Sequence, residues 1–135
     1  MTTPPVDRYQ TFEEFWPYYV REHSKPATRT LHFIGTSLAL GSLAAFAATR
    51  KLRWIPRALL AGYGFAWVSH FFIEKNRPAT FTYPLWSLQA DFKMFELMLT
   101  GKMDAEVERV LKQEQERQAA QDPVVNVRSS DTLSN

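Results

Sequence analysis

From Leu31 to Thr49 the chain carries no charged residue, and after a short basic turn, Arg50-Lys51-Leu52-Arg53, a second apolar stretch from Trp54 to Ile73 is interrupted only by Arg57 near its start. At about 1.5 Å per residue, each stretch approaches the length that crosses the roughly 30 Å hydrocarbon core of a bilayer. The pair predicts a helical hairpin over about residues 30–49 and 54–75. Gly35, Ser37, Ala39, Gly41, Ser42, Ala44 and Ala45 in the first arm favour close approach of the two helices. The long side chain of Arg57 can snorkel to the interface. Arg50, Lys51, Arg53 and Arg57 flank the turn, whereas Arg21, Lys25, Arg29, Lys75 and Arg77 flank the opposite end, so charge assigns no orientation. A mean hydropathy of −0.30 for the whole chain leaves two buried helices of a soluble bundle as the alternative.

Amphipathic segments surround the hairpin. Residues 1–10 predict a flexible lead-in. Thr11 with Glu14 three residues later reads as a capping box opening a helix over about 11–23, whose apolar stripe is Phe12, Phe15, Trp16, Tyr19, Val20 and His23. Pro17 is expected to kink or shorten this helix, and Ser24-Lys25-Pro26 to end it. A further helix over about 84–99 opens at Pro84 and closes before Gly101. Asp91, Lys93 and Glu96 exclude it as a simple span and place it on the surface or beside the hairpin. A charged helix over about 101–119 and a disordered tail over 120–135 complete the chain. The expectation is an all-α fold with one helical membrane domain over residues 11–100.

Composition narrows the chemistry. At 135 residues the chain is one domain's worth, and the absence of cysteine excludes disulfides, thiolate metal sites and a cysteine nucleophile. The net charge of +2 comes from basic residues scattered along the chain, which excludes the footprint of a nucleic-acid binder. Met1 to Asp7 lacks the basic and apolar regions of a secretory signal, so membrane insertion is expected from internal segments.

The three histidines are the candidate chemistry. His32 lies 20 residues before Leu52 at the hairpin turn and His70 lies 18 after it; at about 1.5 Å per residue their levels agree to roughly 3 Å. Glu74 shares a helix face with His70, and a short link over residues 25–29 returns His23 to the same end. Together His23, His32, His70 and Glu74 form a candidate metal site for Fe(II), Zn(II), Mn(II) or Cu(II). In the alternative, the histidines are structural, Glu74 pairs with Arg77, Arg29 or Lys75, and the hairpin anchors the charged helix to a partner without catalysis. A b-type haem held by His32 and His70 is a further alternative. No Gly-x-Ser-x-Gly elbow supports a hydrolase. Trp67, Phe71, Phe72, Phe81, Tyr83 and Trp86 could wall a lipid chain, pack internally or form an interfacial belt.

From about Tyr18 to Leu99 the chain resembles a family of small membrane proteins that includes the fungal metal-dependent dioxygenase of 2-hydroxy fatty acids, active in odd-chain fatty acid formation from phytosphingosine. The resemblance is carried by His23 before a proline-containing link, by Leu31-His32-Phe33-Ile34-Gly35, and by His70 with Glu74-Lys75 and Pro78-Ala79. It implies an all-helical integral membrane domain, in a bacterial inner membrane or the endoplasmic reticulum, using Fe(2+) and O2. The implied reaction removes C1 from a long-chain 2-hydroxy fatty acid, with His23, His32 and His70 as iron ligands or essential residues. Glu74 matches the pattern, and its ligand role comes from geometry alone. Arg29, Lys75 and Arg77 are the cations expected to hold the substrate carboxylate. Phe71 and Asn76 stand where the fungal branch carries glycine and arginine, which points to a separate branch with its own lipid substrate.

Overall fold

A computed structural model describes residues 8–121 of the chain. Residues 1–7 and 122–135, which hold most of the expected lead-in and tail, lie outside the described residues. Five α-helices follow one another: α1 (Phe12–Glu22), α2 (Pro26–Thr49), α3 (Trp54–Val68), α4 (Pro84–Leu99) and α5 (Met103–Gln121). A π-helical turn, Ser69–Glu74, prolongs α3, and a 3₁₀ turn, Ala79–Phe81, precedes α4. Among the described residues there is no strand.

Thr11 caps α1 through its hydroxyl, which accepts from the Glu14 N–H at 3.2 Å. The reciprocal half of the box is displaced by one residue, because the Glu14 carboxylate accepts from the Gln10 N–H instead of that of Thr11. Contrary to expectation, α1 runs unbroken through Pro17. The link after it comprises His23, Ser24 and Lys25 alone, since Pro26 occupies the first turn of α2, where its missing N–H costs nothing. Arg29 therefore belongs to α2, not to the connection.

The hairpin forms as predicted, with different bounds. Helix α2 starts four residues earlier than expected and is the one helix among the described residues long and apolar enough to cross a membrane. The second arm is α-helical for only 15 residues before the π turn. The arms touch at Gly35: a Cβ there would lie 2.8 Å from Phe65 Cβ and 2.9 Å from the Ala61 carbonyl oxygen, so only glycine permits this crossing. Because Gly35 is one turn from His32, the contact also fixes the depth of that histidine.

Burial divides the molecule in two. Phe15, Trp16, Tyr19 and Val20 of α1 pack with Ala90 and Met94 of α4 and with Met103, Val107 and Val110 of α5 in one buried cluster. The hairpin turns its apolar side chains outward, Leu38, Leu43, Leu59 and Leu60 among them, and Phe72 beyond it is 74% exposed. An outward apolar belt of this extent marks a surface built for a partner or a lipid phase.

Candidate metal centre

Each histidine reaches the centre from a different element. His23 ends α1, where the chain turns towards Pro26. Arg29 fixes this turn from α2: its guanidinium donates to the carbonyls of His23 at 2.9 Å and Ser24 at 2.6 Å, and to Asp104 of α5 at 3.1 Å. His32 lies in the second turn of α2, and His70 lies in the π turn, which Lys75 closes in the left-handed region at φ 57°. Wide turns of this kind recur at functional sites, where they re-aim a side chain.

The three rings meet edge-on. Their centroids are 4.5 Å apart for His23 and His32, 4.5 Å for His23 and His70, and 5.2 Å for His32 and His70. One nitrogen from each lies within 4.8 Å of the others. Three nitrogens on one ion at about 2.1 Å lie about 3.4 Å apart in a tetrahedral site, so closure needs the rings to draw together by about 1.4 Å at most. All three residues are at least 95% buried.

The hydrogen bonds assign the tautomers. His23 Nδ1 donates to the Tyr19 carbonyl at 2.7 Å. His70 Nδ1 faces Asn76 Oδ1 at 2.7 Å, and Asn76 Nδ2 donates to the Glu22 carbonyl at 3.0 Å and to its carboxylate at 2.7 Å, which fixes the orientation of the amide. His32 Nδ1 lies 3.4 Å from Asp91 Oδ1, and the same carboxylate accepts from the Tyr19 hydroxyl. The bonded Nδ1 of His23 and of His70 leaves each Nε2 with a lone pair, and the Asp91 carboxylate beside His32 Nδ1 favours the same tautomer there. The Nε2 atoms of His23 and His32 are buried without a partner among the described residues, as is Ser87 Oγ, which lines the same small cavity. Each such orphan costs about 1–3 kcal/mol, and a shared cation relieves it for the imidazoles. Burial foremost, then the neighbouring His32 and His70, pull His23 well below the usual histidine pKa of 6.5, so it is neutral, as ligation requires. The donor set therefore fits a metal held by three neutral imidazoles, each oriented by an outer acceptor.

The structure does not bring Glu74 to this cluster. Its carboxylate accepts from the Lys25 N–H at 2.9 Å and caps α2, which has no side-chain cap of its own; a helix N-terminus with free N–H groups attracts a carboxylate. Nor do the expected carboxylate-holding cations line the cavity. Arg29 is committed to backbone and Asp104, Lys75 is exposed at the end of the π turn, and Arg77 lies over the Phe81 ring at 5.2 Å. Of the aromatic wall, Trp67 borders the cavity, Tyr83 and Trp86 pack against the α1 core, and Phe71 and Phe72 face outward.

Three contributors are hidden in the sequence. Asp91 reads there only as a charge unsuited to a span, although an ionisable residue on an apolar helix is itself a functional signal. Tyr19 reads as core, yet it stacks on His23 with centroids 4.0 Å apart while holding Asp91. Asn76 has no sequence signal beyond its nearness to His70. The centre also opens onto something larger: His32, Tyr63 and Asp91 border both the small cavity and an apolar groove of about 240 Å³ between α2, α3 and α4.

No curated protein and no solved structure matches the chain. A family model described as 2-hydroxy-palmitic acid dioxygenase Mpo1-like matches residues 9–103, a span that contains all three histidines and their orienting partners, and the chain thus belongs to the Mpo1-like family.

Proposed function

We propose that this protein is a membrane-embedded, iron-dependent dioxygenase that converts a long-chain 2-hydroxy fatty acid to the fatty acid one carbon shorter. The observation that carries the reading is the trio of buried imidazoles, one nitrogen of each within 4.8 Å of the others and each Nδ1 beside an oxygen acceptor. The family description supplies the substrate class and the dependence on O2. The outward apolar hairpin supports a location in the bilayer, where such a substrate resides.

In the overall balance, RCH(OH)COOH and O2 give RCOOH, CO2 and H2O. The C1–C2 bond breaks and the substrate itself supplies all four electrons, so no further reductant is required. His23, His32 and His70 would hold a ferrous ion, which when bound supplies O2 activation and offsets the charge of the substrate carboxylate. The chain supplies orientation and a dry site. Asp91, at the junction of cavity and groove, is the acceptor available to the 2-hydroxyl, and Tyr19 keeps that carboxylate in place. Glu74 is proposed as a cap, not as a ligand. The haem alternative is disfavoured because His32 and His70 centroids lie 5.2 Å apart with His23 edge-on to both, which leaves no room for a porphyrin.

The test is turnover of 2-hydroxyhexadecanoate by protein purified without oxygen in mild detergent and loaded with Fe(II). Pentadecanoate formed with one O2 consumed per product is the expected result. Full iron loading with no O2 uptake on any 2-hydroxy acid would overturn the reading.

A further inference from the structure

The groove bordering the triad has a direction. Its polar end is His32 and Asp91; from there it follows α2 past Ala39 to Leu43 and is closed on the α3 side by Ile55 and Leu59. His32 is 95% buried, and its unpartnered Nε2 belongs to the metal centre, so the groove is continuous with the site of chemistry. From His32 to Leu43 is eleven residues of helix, roughly 16 Å, the length of about a dozen methylene groups. Small residues form its midpoint: a Cβ on Gly62 would meet Ala39 Cβ at 3.7 Å, in ordinary contact, so the space between the arms there depends on both remaining small.

We infer that this groove is the acyl-chain site of the enzyme, with the Ala39–Gly62 waist and the Leu43–Ile55 end setting the chain length it accepts. The inference rests on the proposed reaction for the identity of the headgroup. The occupant is an unbranched, saturated chain whose C1 and C2 lie at His32 and Asp91 and whose methyl end lies at the hairpin turn. A straight chain fits because the walls offer apolar contact along one line and, past Thr36 and Tyr63, no polar partner. Seven residues separate His32 from Ala39, roughly 10 Å, so a larger side chain at the waist blocks long chains and spares short ones. Shortening Leu43 does the reverse and opens the far end.

The test does not depend on turnover. Full-length protein in lipid nanodiscs is mixed with 2-hydroxyhexadecanoate bearing a photoreactive diazirine at C6 or at C15, irradiated without oxygen, and the labelled residues are mapped by mass spectrometry. The C6 probe is expected to label the Thr36–Tyr63 region and the C15 probe the Leu43, Ile55 and Leu59 region. Ala39→Leu should cut C15 labelling at least tenfold while an eight-carbon probe still labels Thr36 or Tyr63, which also shows that the variant folds. Leu43→Ala should move C15 labelling onto Ile55 and Leu59 and extend capture to longer chains. Labels falling on the outer belt, such as Leu38, Leu60 or Phe72, or with no order along the chain, would overturn the inference. Ordered labelling without any turnover would keep the acyl site and defeat the proposed reaction instead.

Discussion

The head of the molecule, built from α1, α5 and the facing side of α4, and the α2–α3 hairpin solve opposite packing problems. In the head the apolar side chains face inward and polar groups are paired across elements. Trp16 Nε1 donates to Glu106 at 2.7 Å, Arg21 meets Glu114 at 3.0 Å, and the Lys93 ammonium lies 4.1 Å from the Trp16 ring centroid. In the hairpin the apolar side chains face outward, and the arms are joined through small residues instead of a buried cluster. The first pattern hides its apolar groups within the molecule, and the second presents them to a partner or a lipid phase. The histidines sit on the seam. The hairpin with its π turn brings His32 and His70, whereas His23 and the partners Tyr19, Glu22 and Asp91 come from the head helices. The hairpin thus fixes where the rings are, and the head helps fix which nitrogen of each is free.

The largest expected effect comes from removing a ring. His32→Ala or His70→Ala should reduce metal content, measured by plasma mass spectrometry after anaerobic purification, by more than about 100-fold in affinity, while circular dichroism still reports the helices. Next come the orienting partners. Asp91→Ala and Asn76→Ala leave every ring in place but remove the acceptors that set the tautomers, so metal affinity should fall by about 10- to 100-fold; unchanged affinity would mean the seam does not orient the rings.

A smaller effect is predicted within the hairpin. Gly35→Ala places a methyl group against Phe65 Cβ and the Ala61 backbone. It should lower stability by about 1–3 kcal/mol, read from thermal unfolding in detergent, and weaken metal binding by shifting His32. The smallest effect lies in the head, where Glu106 bonds to Trp16 and Arg109 and to none of the three histidines. The Arg109 hydrogen bond, aided by Trp16, lowers the Glu106 pKa from 4.5 to about 2. A lowered carboxylate pKa stabilises the fold fully above the unfolded value, and that contribution is lost as pH falls from about 4.5 towards 2. Glu106→Gln should therefore cost about 1 kcal/mol at pH 7, for a partly exposed pair, and flatten the loss of stability between about pH 4.5 and 2. Metal affinity should not change, which separates head from seam.

Much of this was legible in the sequence, for identifiable reasons. Uncharged runs reported the hairpin because helices with an apolar outer face need no polar alternation, and residue counts about Leu52 placed His32 and His70 at one depth because helical rise is constant. Glu74 misleads because spacing fixes a face but not which of two claimants wins, and the uncapped N-terminus of α2 holds its carboxylate. Asp91, Tyr19 and Asn76 were illegible as site residues because their roles depend on contacts between helices distant in the chain: Tyr19 reaches Asp91 across 72 positions and Asn76 reaches Glu22 across 54. The π turn has no composition that distinguishes Ser69–Glu74 from ordinary helix.

The central claim, that three imidazoles share one ion, is tested most directly by X-ray absorption at the iron edge of protein loaded with Fe(II) under nitrogen. The expected spectrum has an inner shell with three imidazole nitrogens at about 2.1 Å and their outer-ring scattering, reduced by one imidazole in His23→Ala. An all-oxygen shell with no imidazole signature, unchanged in that variant, would contradict it.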